Sequence, residues 1–537
     1  MATAAGNILR LARAGVVLAQ HGVRFVPRGS RIPVPVRLAH AATLPIRLML
    51  WPFRRAQRHE TRVADALTSL GPSYIKLGQF LATRADLIGP ELAEDLRHLQ
   101  DKLPPFSMRE ARTAVADALG GDVEEHFAEF GPPVAAASIA QVHKAVVIDG
   151  DGRRSVAVKI LRPGIERRFR RDLASFVFAA RQIERFHEPS RRLRPLAVVE
   201  TLAHSVEIEM DLRLEAAAMS EMADNIKDDH HLPDGGFRVP AVDWRRTSKR
   251  VLTTEWVDGI PIADHAGLRA AGLDLNQLGL TLLRSFLRHA MRDGFFHADL
   301  HQGNLLVDAS GQIVAVDFGI MGRLGAKERR FLAEILHGLI TRDYRRTAAI
   351  HFEAGYVPPH QPVELFAQAM RAIGEPIHGR IASEISIADL LGQLFAYTEV
   401  FDMRTRPELL LLQKTMVVVE GVARSLDPEL NIWNAAEPVA KAWVDATYGM
   451  AGRLKEAGEG AEVLGKVVAE VPRLLEQGER MAQALAEAAR AGLRLDEETI
   501  ERLAAAQARH DRWGRRALWL AAAALTAIAA WLMMPLG

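Results

Sequence analysis

His297-Ala298-Asp299-Leu300-His301-Gln302-Gly303-Asn304, followed by Asp317-Phe318-Gly319, is the stretch on which the reading of this chain turns. It sets an Asp and an Asn five positions apart on a loop, and a second Asp in a strand-to-Gly turn. Phosphoryl transfer asks for such a set: a carboxylate to orient the attacking oxygen, and oxygen ligands to hold magnesium on the phosphates. Asp299 suits the first role, and Asn304 and Asp317 the second. His297 is read as structural within the loop, and no role follows for His301. A zinc cluster of His297, Asp299 and His301 is disfavoured, because cysteine is absent and the Asp-Asn-Asp set fits magnesium.

The spacing is that of the protein-kinase catalytic loop and its metal-binding triplet, with His-Ala-Asp written where kinases usually have His-Arg-Asp. Upstream, Val156-Ala157-Val158-Lys159 has the form of the kinase strand whose Lys grips the nucleotide phosphates, and it lies 140 residues before Asp299. Such a Lys needs a carboxylate partner on a following helix. Glu209 to Glu215 supplies candidates; six apart on one apparent helix, the two Glu residues share a face poorly, so one could pair with Lys159 while the other points elsewhere. In place of a Gly-rich loop the chain has Val134-Ala135-Ala136-Ala137-Ser138-Ile139-Ala140-Gln141-Val142. Each Ala carries a Cβ, so close approach to phosphates and positive φ are both costlier, and nucleotide binding should differ from that of a Gly-rich loop.

The 537 residues exceed one typical domain, and 49% hydrophobic with 25% charged residues is globular rather than disordered. The net charge of +2 argues for no particular partner, and clusters such as Arg167-Arg168 with Arg170-Arg171 read as solvated faces. Without cysteine there are no disulfides or thiolate metal sites. Residues 56 to 120 read as helical, with Gly71-Pro72 and Gly89-Pro90 as helix starts. Val142 to Ile148 and Ser155 to Leu161 read as strands around Asp149 to Gly152, Arg250 to Trp256 as another, and Leu305 to Val316 as a hairpin around Gly311. Helices account for Ile165 to about Asp228 and for most of the chain after Leu273. The expected class is α+β: a small strand-rich lobe, then a large helical lobe. Near the C-terminus, Ala517 to Leu536 is a charge-free run between Trp519 and Trp531, preceded by Arg512, Arg515 and Arg516. It reads as a transmembrane helix that leaves the preceding domain in the cytoplasm.

With Lys76-Leu77-Gly78-Gln79, the Ala135-Ala136-Ala137-Ser138 loop, Glu209-x-Asp211 and the His-Ala-Asp loop in this order, the chain resembles the UbiB/ADCK atypical kinases over roughly residues 60 to 325. The resemblance implies a protein-kinase-like two-lobe fold, with a helical extension at 56–125, the N-lobe with a helical insertion at 126–260 and the C-lobe at 261–450; the segment at 1–55 before them is expected at the membrane surface. An amphipathic linker at 451–512 and a membrane anchor at 513–537 follow. It implies ATP and Mg2+ as cofactors: Lys159 on the phosphates and paired with Glu215, Asp299 as the catalytic Asp, Asn304 and Asp317 on magnesium. Glu255 to Val257 would be the hinge holding adenine through backbone groups, with the loop from Val134 to Val142 over the nucleotide. Lys76, Gly78 and Gln79 would form an extension where a protein kinase seats its peptide, with Glu209 and Asp211 nearby. That points to ATP hydrolysis or a small or lipid acceptor, in support of ubiquinone biosynthesis at the inner (cytoplasmic) membrane. The expected partners are quinone-precursor lipids and the enzymes that process them, with no nucleic acid. A true protein kinase and a non-catalytic, nucleotide-gated lipid-binding scaffold are the competing readings.

Overall fold

Strict alternation along one strand decides which way the first sheet faces. In β3 (Gly152–Leu161), Val156, Val158 and Ile160 are fully buried, so the intervening Lys159 must point to the opposite face. The apolar face packs on α4 (Met108–Leu119) and α5 (Val123–His126) through Ala111, Val115 and Phe127. Burying three such side chains is worth roughly 1.5–3 kcal/mol each, which fixes the register that aims Lys159 away. β1 (Glu129–Ala136), β2 (Ala140–Asp149), β3 and β5 (Val251–Glu255) form one antiparallel sheet in the order β1-β2-β3-β5, with Lys159 opposite Val142 and Leu252.

The computed structural model describes residues 4–21, 62–82, 103–150, 152–186, 194–227, 236–379 and 407–448, with single positions between 88 and 99, residue 191, and a few between 397 and 403. Nearly all of them belong to one unit, Met1–Asp445. Before the sheet come α1 (Ala4–Gln20), α2 (Arg62–Leu70) and α3 (Pro72–Ala82), the last starting at Pro72 as its sequence requires. After the sheet's third strand come α6 (Ile165–Phe186), α7 (Pro195–Glu209) and α8 (Leu212–Lys227). The single helix expected across Glu209 to Glu215 is therefore two. The chain breaks at Met210 and Asp211, where the Leu212 N–H leaves the helical ladder to donate to Lys249 O at 3.0 Å.

The helical lobe is built on α10 (Leu275–Arg288), which follows the short α9 (His265–Ala270). Leu275, Leu278, Leu282, Leu283, Phe286 and Leu287 recur at helical spacing and are all buried. The later helices are α11 (Ala326–Ile340), α12 (Tyr344–Glu353), α13 (Val363–Gly379), α14 (Pro407–Leu426) and α15 (Ile432–Tyr448), and α14 lies against α10. A second sheet has the order β4 (Phe237–Arg238), β9 (Ile313–Ala315), β8 (Leu305–Asp308), β6 (Gly259–Pro261); its β8–β9 hairpin is the one expected around Gly311, which sits at φ 81°.

A two-stranded pair, β7 (Phe295–His297) with β10 (Met321–Arg323), carries the chain into the catalytic loop. Gly322 faces Phe296 across this pair, and a Cβ at Gly322 would lie 2.1 Å from the tip of the Phe296 ring. Phe296 is fully buried and meets Phe286 edge-on at 5.8 Å, so the ring has nowhere to go. Gly322→Ala is expected to cost about 1–3 kcal/mol of stability, read by chemical denaturation. A variant as stable as wild type would show that the pair yields without strain.

The mixed helix and sheet content fits the expected α+β class, but the membrane-spanning part of that expectation is corrected. Among the described residues no helix is long and apolar enough to cross a membrane. The longest are laced with charge: α6 carries Glu166, Arg167, Arg168, Arg170, Arg171 and Asp172, and α14 carries Lys414, Glu420 and Arg424. The run from Ala517 to Leu536 lies outside the described residues. The C-terminal transmembrane helix, and the single-pass inner-membrane localisation that rested on it, are withdrawn.

Candidate active site

Three segments distant in sequence converge on Lys159. Its ammonium lies 2.8 and 2.9 Å from the two carboxylate oxygens of Glu215 and 3.2 Å from Asp317 Oδ1. Glu215 is the one of the two candidate Glu residues that reaches it, because it projects from the first turn of α8 and is 6% exposed. Glu215 Oε1 also accepts the Phe318 N–H at 3.2 Å, which ties the helix to the Asp317-Phe318-Gly319 turn. Burial pushes the Glu215 carboxyl up to about 7, against the pull of Lys159. Burial would lower the Lys159 ammonium, but Asp317 and Glu215 together raise it.

Asp317 is the charged and accessible member of the set. Loss of water at its inner edge opposes ionisation, yet Lys159 and the Gly319 N–H, which donates to Oδ1 at 3.0 Å, hold its carboxyl well below the usual range. The side chain keeps 46% of its surface exposed, and both bonds use Oδ1, leaving Oδ2 without a hydrogen bond among the described residues.

The catalytic loop is pinned from below. The Asp299 N–H donates to His297 Nδ1 at 3.0 Å, so that nitrogen carries no proton and the neutral ring donates from Nε2 to the carbonyl of Asp317. Burial, which lowers the His297 pKa, keeps the ring neutral. With both ring nitrogens so used, His297 has none left for a metal, and the zinc reading falls. Asn304 Nδ2 donates to the carbonyl of Asp299 at 3.1 Å, which leaves its Oδ1 for a cation. The Asp299 carboxylate is a third exposed and lies 3.6 Å from His301 Nε2. The unusual Ala298 is 1% exposed, and its carbonyl accepts from Thr415 Oγ1 of α14 at 3.2 Å. Gln302 likewise donates to Ser425 of the same helix at 2.8 Å. A long arginine has no room in that packing.

Asp317 and Asn304 are hard oxygen donors, which suits magnesium. Among the described residues no group of three or more acidic or His side chains is arranged to hold a metal alone. A cation here would complete its shell with phosphate oxygens and water, as magnesium does in phosphotransfer sites.

The remaining sequence candidates fall around this centre. The β1–β2 hairpin contains Val134 to Val142; Val134 is exposed, while Ser138, Ala140 and Gln141 are buried and Ile139 is 9% exposed. Arg162 clamps its tip, donating twice to the carbonyl of Ala137 at 3.0 and 2.8 Å. Gln141 Oε1 accepts the Phe106 N–H at 2.9 Å, a structural bond to the segment before α4. Glu255 ends β5; its carboxylate is gripped by Arg238 at 3.0 Å through both oxygens, and Arg238 also holds Asp308 at 2.8 Å. The clamp braces the chain where it passes to Val257 and on into the second sheet. Lys76 pairs with Glu209 at 2.7 Å, both about 15% exposed, tying α3 to the end of α7 three residues before α8 begins. Asp211 is held by its neighbour Arg213 at 2.6 Å rather than by Lys76 or Lys159. Gln79 is half-buried on the Lys76 face, and Gly78 is the point where α3 packs closest: a Cβ there would come within 2.3 Å of Leu99 and 2.7 Å of Leu67. Sequence reasoning missed Arg238, Arg162 and Thr415, whose roles depend on contacts that no local pattern signals.

Comparison with known proteins places the chain in a family. The ABC1 atypical kinase-like domain matches residues 98–351, and the UbiB helical domain matches residues 370–431. The chain is 38% identical over 436 residues to a probable protein kinase UbiB from Marinobacter nauticus, covering 80% of this chain and 77% of that one. It is 42% identical over 393 residues to one from Xanthomonas campestris pv. campestris, covering 72% and 70%. A solved structure, the complex of Rv3197 with erythromycin from Mycobacterium tuberculosis, is 25% identical, covers 75% of this chain and 97% of that chain, and superposes with a TM-score of 0.45. On the matches to both domains and to these relatives, the chain belongs to the ABC1/UbiB family of atypical kinases.

Proposed function

We propose that this chain binds Mg-ATP and catalyses its hydrolysis, or transfer of its terminal phosphoryl group to a small or lipid acceptor, in support of ubiquinone biosynthesis. The observation that carries the reading is the contact of Lys159 with both Glu215 and Asp317, above a loop that presents Asp299 and Asn304. Magnesium, when bound, neutralises charge that develops on the phosphates. Asp317 and Asn304 hold it; Lys159, oriented by Glu215, holds the phosphates; the Asp299 carboxylate orients the attacking oxygen and accepts its proton. Main-chain groups of Glu255 and Val257 take the adenine, braced by Arg238. The β1–β2 hairpin covers the nucleotide from a backbone stiffened by Ala and clamped by Arg162.

The Lys76–Glu209 pair ties an extra helix beside the site, with Gln79 on the same face, and this disfavours a peptide substrate. Quinone-precursor lipids, or the enzymes that process them, are the clients that fit. The test is incubation with terminally labelled ATP and magnesium, with a generic protein acceptor present. Free labelled phosphate is expected, reduced by about 10²–10⁴-fold in Asp299→Asn. Release unaffected by the substitution would sink the reading, and label on the added protein would favour a protein kinase instead.

A further inference from the structure

A cavity of about 440 Å³, lined by none of the nucleotide groups, lies between α1, the turn joining α2 to α3, and α6. Arg10, Arg13, Arg168 and Arg171 line it together with Tyr74, against the single carboxylate of Asp172. Two of the guanidiniums are already engaged. Arg10 donates to Ser175 Oγ at 2.8 Å and Asn7 Oδ1 at 2.6 Å, and Arg168 donates to Leu70 O at 2.9 Å with Asp172 at 4.0 Å. The other two, Arg13 and Arg171, are exposed and have no ion pair or side-chain hydrogen bond among the described residues. An isolated surface arginine is usually just solvated. Four around one concavity, against one carboxylate, leave it with a surplus of positive charge that an anion between them would relieve.

The floor of the cavity is built rather than incidental. Tyr74 is 9% exposed, its ring fixed edge-on against Phe176 at 5.0 Å, and its hydroxyl makes no hydrogen bond among the described residues. Burial, with Asp172 nearby, pushes the phenol up to about 12, so it stays protonated and able to donate; Arg10, Arg13 and Arg168 lie close enough to pull the other way. Gly71, at φ 99°, leaves the space that Arg168 fills: a Cβ there would lie 2.1 Å from the guanidinium. Leu70 and Tyr74 both border the cavity, so the first turn of α3, with its partial positive charge, is part of the wall.

We propose that this cavity binds a phosphate-class anion, held by the guanidinium forks of Arg13 and Arg171 and by the Tyr74 hydroxyl, with Arg10 and Arg168 as the fixed positive wall. Planar guanidinium groups match phosphate oxygens two at a time, and the cavity has room for a diphosphate or a phosphoester headgroup. The assignment does not depend on the nucleotide reaction.

The test uses the full chain in magnesium-free buffer with chelator, titrated with inorganic pyrophosphate by calorimetry. The double variant Arg13→Ala/Arg171→Ala removes only side chains without partners, so its fold and its ATP-dependent phosphate release should be unchanged. Pyrophosphate affinity should fall about 10-fold or more. Any pyrophosphate bound at the nucleotide groups is common to both proteins and cancels. A parallel co-sedimentation compares phosphatidylglycerol with phosphatidylcholine vesicles. Vesicle binding lost in the variant together with pyrophosphate binding assigns a lipid headgroup; loss of pyrophosphate binding alone assigns a soluble phosphoester. Equal pyrophosphate affinity in the two proteins overturns the proposal.

Discussion

Asp317→Asn is expected to reduce magnesium-dependent phosphate release by on the order of 10³-fold or more. The substitution keeps the shape of the side chain and an oxygen for the Gly319 N–H, but it removes the charge. That charge has two partners, the cation that must sit on the phosphates and the Lys159 ammonium at 3.2 Å. Asp317 is also the member of the set whose side chain stays 46% exposed, so it is the carboxylate a ligand meets. Glu215 cannot take over, because it is 6% exposed and faces Lys159 and the Phe318 N–H. The measurement is steady-state phosphate release across a magnesium titration, with nucleotide affinity determined separately. Release within a factor of a few of wild type, at any magnesium concentration, would mean that the metal is held elsewhere.

Lys159→Met is expected to damage stability as well as turnover, and in a pH-dependent way. Removing one partner of a buried ion pair typically costs about 3–5 kcal/mol, because the other charge is left without compensation. Glu215 can escape part of this cost by taking a proton. Already pushed up to about 7 beside Lys159, it rises further when the ammonium is gone. The folded variant therefore holds a proton that the unfolded chain has released, from the ordinary Glu value of 4.5 up to the raised folded value. Stability falls as pH rises wherever the folded state binds more protons. The deficit of the variant relative to wild type should thus be smaller at about pH 5 than at about pH 8, as read from denaturant midpoints. A deficit that is constant, or larger in acid, would show that Glu215 is not the group left stranded.

Much of the site was readable from local pattern. β3 alternates buried and exposed residues, so its Lys was bound to lie on the face opposite Val156, Val158 and Ile160. The β8–β9 hairpin followed from its turn residues, and Pro72 marked the first residue of α3. The choice between Glu209 and Glu215, which the family resemblance assigned to Glu215, was not readable from the spacing of the residues. It depends on a helix break at Met210 and Asp211, stabilised by a bond from Leu212 to Lys249, 37 residues along the chain. The same holds for Ala298: its departure from the usual kinase spelling did not reveal that it lies in the core, 1% exposed, with its carbonyl bonded to Thr415 of α14, 117 residues later.

Arg167, Arg168, Arg170 and Arg171 looked like one solvated run, yet α6 divides them. Arg168 and Arg171, three apart and so on one face, turn toward the cavity that Arg10 and Arg13 line from 158 positions earlier in the chain.

The sequence by itself determined which chemical groups this protein has, their order, and the strands and turns that display them, since those depend on side-chain periodicity and backbone sterics over a few residues. Only the tertiary structure decided their partners. Glu215 and Asp317 meet Lys159 from 56 and 158 positions away. Whether such groups become a reactive set, a latch such as Lys76 with Glu209, or an anion pocket depends on burial and on which charges share it. Those are properties of packing that no stretch of sequence carries alone.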